Sequence, residues 1–193
     1  MKRKTLVVAL VLLLAFGAVY GTVAYFTTQG TATNVITAGN LSAEIHEYAD
    51  LEMTKPFVDL TGVMPGDAAI KVVTVENTGN SDAWVRLSVS KDYELAPARA
   101  AVRGADEVAS REIELVHMDI NSEYWTEQDG FYYYNEILEP GQTSEPLFTS
   151  ITLDVTLGNV WQGAKFFIDV HMDAVQVANN GATALEAAGW PTN

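Results

Sequence analysis

The sequence predicts an all-β fold, an antiparallel β-sandwich preceded by an N-terminal signal helix. Three observations point there. Short runs rich in Val, Ile, Thr and aromatic residues follow one another along the chain. Turn clusters built on Pro-Gly, Asn-Thr-Gly and Asp-Gly separate them about every ten residues. Beyond the N-terminus, no stretch repeats its apolar residues at helical spacing.

The first element is an address. Lys2, Arg3 and Lys4 form a positive start, Leu6 to Tyr20 is continuously apolar, and Gly21-Thr22-Val23-Ala24 ends the run in small residues. That is the layout of a secretory signal peptide over residues 1–24, cut after Ala24. The competing reading is a retained membrane anchor, which needs about 20 apolar residues. Residues 25–193 then form a single secreted domain, with 25–40 as an N-terminal extension.

Charge and composition narrow the function. The formal net charge is −14, and loss of Lys2, Arg3 and Lys4 takes it to −17. Such a surface repels nucleic acid and anionic lipid, so neither is an expected partner, and a membrane is met only through an uncleaved signal segment. Cysteine is absent, which removes disulfides and thiolate metal sites. Hydrophobic residues make up 48% of the chain, enough for a packed core.

The strands follow in order. Leu41 to His46 alternates apolar and polar residues, and Leu51 to Leu60 is a less regular second candidate. Met64-Pro65-Gly66-Asp67 is a type II turn, with Pro at the second position and Gly at the third. Ala69 to Glu76 is a β-branched strand. Ala83 to Ser90 puts Ala83, Val85, Leu87 and Val89 on one face and Trp84, Arg86 and Ser88 on the other. Residues 93–110, rich in Ala, are expected as a long loop with at most a helical turn. Arg111 to His117 is expected as a strand. Asp129-Gly130 predicts a hairpin between residues 123–125 and 131–135. Pro140-Gly141 repeats the earlier turn, and Leu147-Phe148 with Ile151 to Val155 supplies the next strand. Lys165 to Val175 is the most regular strand, with Phe166, Ile168, Val170, Met172 and Ala174 on one face. Residues 182–188 are expected as a short helix.

Ala24-Tyr25-Phe26 followed by Asn34-Val35-Ile36-Thr37-Ala38-Gly39 resembles the start of bacterial exported proteins processed by a SipW-type signal peptidase, the TasA/camelysin family. Pro65-Gly66-Asp67, Val75 to Gly79, Trp84 to Leu87, Pro140-Gly141-Gln142 and the tail from Asp173 to Pro191 are similar to that family in the same order. The resemblance implies a cut just before Phe26, after Tyr25, and a jelly-roll-like antiparallel β-sandwich. It implies either a biofilm-matrix fibre protein or a metallo-endopeptidase.

Catalytic residues are not evident. His46-Glu47-Tyr48-Ala49-Asp50 starts like the helical zinc motif, but Asp50 stands where the second His belongs and the pattern is that of a strand. The metal candidates are His46, His117, Asp169, His171 and Asp173, the last three at spacing two on one strand face. A solvated polar face explains them equally. No cofactor is expected, a divalent cation excepted. Trp125 and Tyr132, Tyr133 and Tyr134 read either as cross-strand pairs or as a glycan-stacking platform.

The reading that follows is a secreted or cell-surface structural protein that associates with itself or with related matrix proteins, after signal peptidase has acted. Tyr25, Phe26, Asn34, Val35 and Ile36 mark a candidate donor strand, since residues 25–40 carry no charge and suit extended pairing. The alternatives are a camelysin-type metallo-endopeptidase and a monomeric adhesin or glycan-binding module.

Overall fold

The computed structural model of the chain describes residues 41–58 and 64–191. The signal helix, the cleavage positions Ala24 and Tyr25, and the donor-strand residues Phe26, Asn34, Val35 and Ile36 lie outside them.

Among the described residues the strands and α-helices follow one another as β1 (Glu44–Tyr48), β2 (Ala68–Ile70), β3 (Val72–Glu76), β4 (Ala83–Glu94), α1 (Pro97–Ala100), α2 (Ala105–Glu112), β5 (Val116–Met118), β6 (Trp125–Gln128), β7 (Phe131–Tyr134), β8 (Ser150–Leu153) and β9 (Lys165–Gln176). All pairings are antiparallel. One layer is the sheet β6-β7-β4-β9; the other is built from β1-β3 and β2-β8-β5. The all-β antiparallel expectation therefore holds.

Strands β4 and β9 pair over their full length, from Ala83 opposite Gln176 to Glu94 opposite Lys165. Alternation dictates what each face does. Phe166, Ile168, Val170, Met172 and Ala174 are all buried, as are Ala83, Val85 and Leu87. They meet Val73, Val75, Phe148, Ile151 and Leu153 from the other layer in one apolar core. Each fully buried Val, Leu, Ile, Phe or Met side chain here contributes about 1.5–3 kcal/mol.

The second layer is organised by the two Pro-Gly turns. Asp67 N–H donates to Met64 O (2.9 Å) and Gln142 N–H to Glu139 O (3.0 Å), with Gly66 and Gly141 at φ +90° and +76°. In each turn the fourth side chain accepts from the first N–H: Asp67 Oδ2 from Met64 and Gln142 Oε1 from Glu139. The chains leaving these turns run antiparallel to one another. The ladder reaches from Gly66 N–H on Leu153 O to Gly141 N–H on Asn77 O, each 2.8 Å. The repeat seen in sequence is thus a pair of turns closing opposite ends of one ladder.

The β6–β7 hairpin turns on Asp129 and Gly130, both at positive φ (53° and 80°), the two-residue geometry that Asp-Gly favours. The turn is tighter than expected, so Thr126 to Gln128 belong to the strand, and β6 pairs as Trp125–Gln128 with Phe131–Tyr134.

Other expectations are corrected. Residues 69–76 are two strands broken at Lys71, whose side chain is buried between the layers. Described residues 51–58 form turns, with only a bridge from Tyr48 to Pro56. Tyr93 and Glu94 complete β4, and residues 97–115 are largely helical where a loop and a strand were expected. Glu112 ends α2, a 3-10 turn covers Ile113–Leu115, and only Val116–Met118 pairs as strand. Residues 182–188 make turns and no helix. They fold over the outer face of β4, where Ala184 and Ala187 pack with Trp84, Tyr133 and Val175.

Candidate functional site

The three histidines lie on three different sheets. His46, on β1, has its Nε2 2.8 Å from Glu76 Oε2 and its ring stacked on Tyr48. Its neighbour Glu47 points the opposite way, to the Lys71 ammonium at 2.9 Å, as alternation on a strand requires. The zinc-motif likeness therefore fails in space. His117, on β5, is exposed, with Nε2 3.9 Å from Asp154 Oδ2. His171 sits on β9 opposite Ser88.

Asp169, His171 and Asp173 do share a face of β9, but Asp173 is committed elsewhere. Its Oδ2 accepts from Arg86 Nε and Nη2, both at 2.8 Å. Arg86 is buried, with its guanidinium 3.7 Å from the Phe131 ring centre and 4.9 Å from that of Trp190. It also donates to Pro191 O at 2.8 Å. This cluster is a clamp that holds the C-terminal segment. Among the described residues no three of His, Asp and Glu converge to hold a metal ion. Residues 1–40 contain neither His nor Asp nor Glu.

The aromatic hairpin is no open platform. Trp125, Tyr133 and Tyr134 are buried, with Trp125 and Tyr134 rings 4.9 Å apart across the strands. Trp125 Nε1 is satisfied by Glu145 O at 3.0 Å.

Three carboxylates serve as clasps. Asp50 accepts from Thr54 Oγ1 (2.6 Å), Thr54 N–H (2.8 Å) and Lys55 N–H (3.1 Å), and closes the 50–55 loop. The Thr54 hydroxyl first, helped by the two backbone N–H groups, holds its carboxyl below the ordinary value against the opposing effect of burial. Asp154 does the same around Thr156. Asp119 fastens the start of β8 through Thr149 Oγ1 and the N–H groups of Thr149 and Ser150. Burial pushes its acid up, but the Thr149 hydroxyl and those N–H groups outweigh it and leave the carboxyl low. A group depressed in the folded state adds stability above its unfolded value, and that stability is lost as pH falls through the folded value. Asp119→Asn is therefore expected to lower the melting temperature at pH 7 and to flatten its fall between neutrality and acid. Calorimetry across pH checks it; a variant whose melting falls as steeply with acid as the parent would contradict it.

A cavity of about 220 Å³ opens between α1, α2 and the turn at Asn159–Trp161, lined by Arg99, Val102, Arg103, Ala105, Val108 and Val160 among others. Its walls are mostly aliphatic and its rim carries two guanidinium groups. Arg99 donates to Gln162 Oε1. Arg103 is exposed and makes no hydrogen bond or ion pair with a described residue. Sequence reasoning missed this site, because the segment read as a loop. The available signal was that Arg99, Arg103 and Arg111 are three of only eight Lys and Arg residues after residue 24.

Among the described residues no helix is long and apolar enough to cross a membrane. The model of one family, described as camelysin metallo-endopeptidase, matches residues 2–128. No curated protein and no solved structure matches the chain. The match spans about two thirds of the sequence, includes the Pro65-Gly66 turn and strands β1 to β6, and agrees with the order of motifs; the chain belongs to the camelysin family.

Proposed function

We propose that this protein is a secreted structural subunit, or an accessory, of extracellular biofilm-matrix fibres, assembling by β-strand exchange. Residues 1–24 are the signal segment, removed on export by a SipW-type peptidase. Residues 25–193 are the working domain, a jelly-roll-like sandwich. The observation that carries the reading is the sheet edge at β9. Twelve residues long, it pairs with β4 on one side and with no described strand on the other. Such an edge is a template for another chain. The uncharged extension 25–40 suits it, since docking it beside an acidic sheet creates no like-charge pair.

The test images the exported protein over a range of concentration and salt. Fibres are expected, and deletion of residues 25–30 is expected to abolish them while leaving a folded monomer. An intact chain that stays monomeric at every concentration, or a deletion variant that still polymerises, would count against the reading.

The family description favours a second reading, a metallo-endopeptidase. Zinc needs three or four convergent ligands. The described histidines are separated on three sheets, one engaged with Glu76, and Asp173 is held by Arg86. These residues do not fit a zinc site. Zinc in a one-to-one ratio, with proteolysis lost in His46→Ala, His117→Ala or His171→Ala, would establish the peptidase instead.

A further inference from the structure

We propose that the cavity rimmed by Arg99 and Arg103 receives the Leu51-Glu52-Met53 loop of a second copy of this chain. The inference rests on the fibre reading and adds to it a second, side-chain contact between subunits.

The loop is built to present those residues. Leu51 and Met53 are 59% and 44% exposed, with the exposed Glu52 between them. The display is held in place. Asp50 gathers Thr54 and Lys55, Met53 N–H donates to Asp50 O at 3.2 Å, and Ala49 N–H donates to Lys55 O at 2.8 Å. Met53 sits at φ +53°, in the left-handed region that strains a non-glycine residue. A clasp that fixes an apolar-acidic-apolar tip against that strain is a presented surface.

The cavity is its complement. A volume of about 220 Å³ falls below the roughly 300 Å³ at which pockets for drug-sized ligands begin. It suits one or two aliphatic side chains, and Val102, Ala105, Val108 and Val160 line it with aliphatic groups. The rim offers the guanidinium of Arg103, which lacks a partner among the described residues, in a protein whose 25 acidic residues exceed its 11 basic ones. Charge complementarity thus favours an acidic tip with apolar flanks, and a neighbouring copy carries one. The loop follows β1 and the cavity lies among α1, α2 and Asn159–Trp161, so the two surfaces share no residue. A contact between unlike surfaces is head-to-tail, and unless the rotation closes a ring it extends into an open filament.

The experiment uses charge exchange in the chain as exported by its producing cells. Glu52→Arg and Arg103→Glu are each expected to weaken self-association at least tenfold in sedimentation velocity, with unchanged circular dichroism and melting. Mixing the two variants is expected to restore it, because each tip then faces a cavity of opposite charge. Leu51→Ser, which keeps the charges, is expected to weaken association as well. Variants that associate like the parent, or a mixture that stays dissociated, would overturn the docking. If fibres persist in all three variants yet vanish on deletion of residues 25–30, the docking is wrong and the strand-exchange reading stands. A parent chain that never associates overturns both.

Discussion

Replacing Lys71 by Met is expected to lower stability by about 3–5 kcal/mol, the cost of leaving a buried charge unpaired. The Lys71 side chain is 4% exposed and lies at the break between β2 and β3, from which it reaches between the layers. Its ammonium meets Glu47 Oε1 at 2.9 Å, donates to Ile168 O at 2.7 Å on the opposite sheet, and sits 4.5 Å from the Phe57 ring centre. With Met in its place, Glu47, itself 13% exposed, keeps its charge without a counterpart. The double variant Lys71→Met/Glu47→Leu is expected to recover most of the loss, because an apolar pair replaces an ion pair at little net cost. Urea denaturation of the parent, the two single variants and the double variant forms the cycle. Additive losses would mean that the two side chains are not coupled.

A loss of similar size is expected for Trp161→Ala, about 3–5 kcal/mol for a buried large-to-small aromatic change. Trp161 is 1% exposed, stacked on Phe166 at 4.7 Å and edge-on to Tyr93 at 5.2 Å. Its Nε1 donates to Glu112 Oε2 at 2.8 Å, and that carboxylate also accepts from Gly158 N–H at 3.2 Å. Removing the indole therefore opens a void and unties the end of α2. Trp161→Phe keeps most of the volume but not the donor, and separates the two effects. The measurement is the denaturation midpoint together with amide exchange over residues 105–112. An unchanged exchange rate there in Trp161→Ala would show that Trp161 does not anchor the helix.

These two residues mark where the sequence stops being readable. The alternation of β9 was plain because one of its faces is wholly buried, and Asp129-Gly130 fixed its hairpin through local backbone preference alone. Lys71 sat inside a β-branched run and gave no local sign that the strand breaks there; its partners Glu47 and Ile168 are far away in sequence. On β4, alternation assigned Trp84 and Arg86 to the polar face, and they do lie there. What alternation cannot say is that the C-terminal segment covers that face and buries both. Residues 93–118 misled for another reason. Alanine leaves few large side chains from which to read a period, and Arg111-Glu112-Ile113 looks alternating although it closes a helix. The metal candidates were chosen by spacing along β9, and spacing does not reveal that Arg86 from the next strand already occupies Asp173. The cavity was invisible because its walls come from two segments about fifty residues apart.

The Arg86 clamp also decides how a pull on the C-terminal segment reaches the sheet. The C-terminal segment leaves β9 at Gln176 and doubles back to put Trp190 and Pro191 against Arg86. A pull at the C-terminus loads that stacking contact and single hydrogen bond before it reaches the register of Gln176 with Ala83. Behind the clamp lie the packing of Ala184 and Ala187 on Trp84, Tyr133 and Val175 and the bond from Trp84 Nε1 to Gly181 O, and only then the twelve paired residues of β4 and β9. A pull from that end therefore loads the C-terminal segment before it loads the sheet.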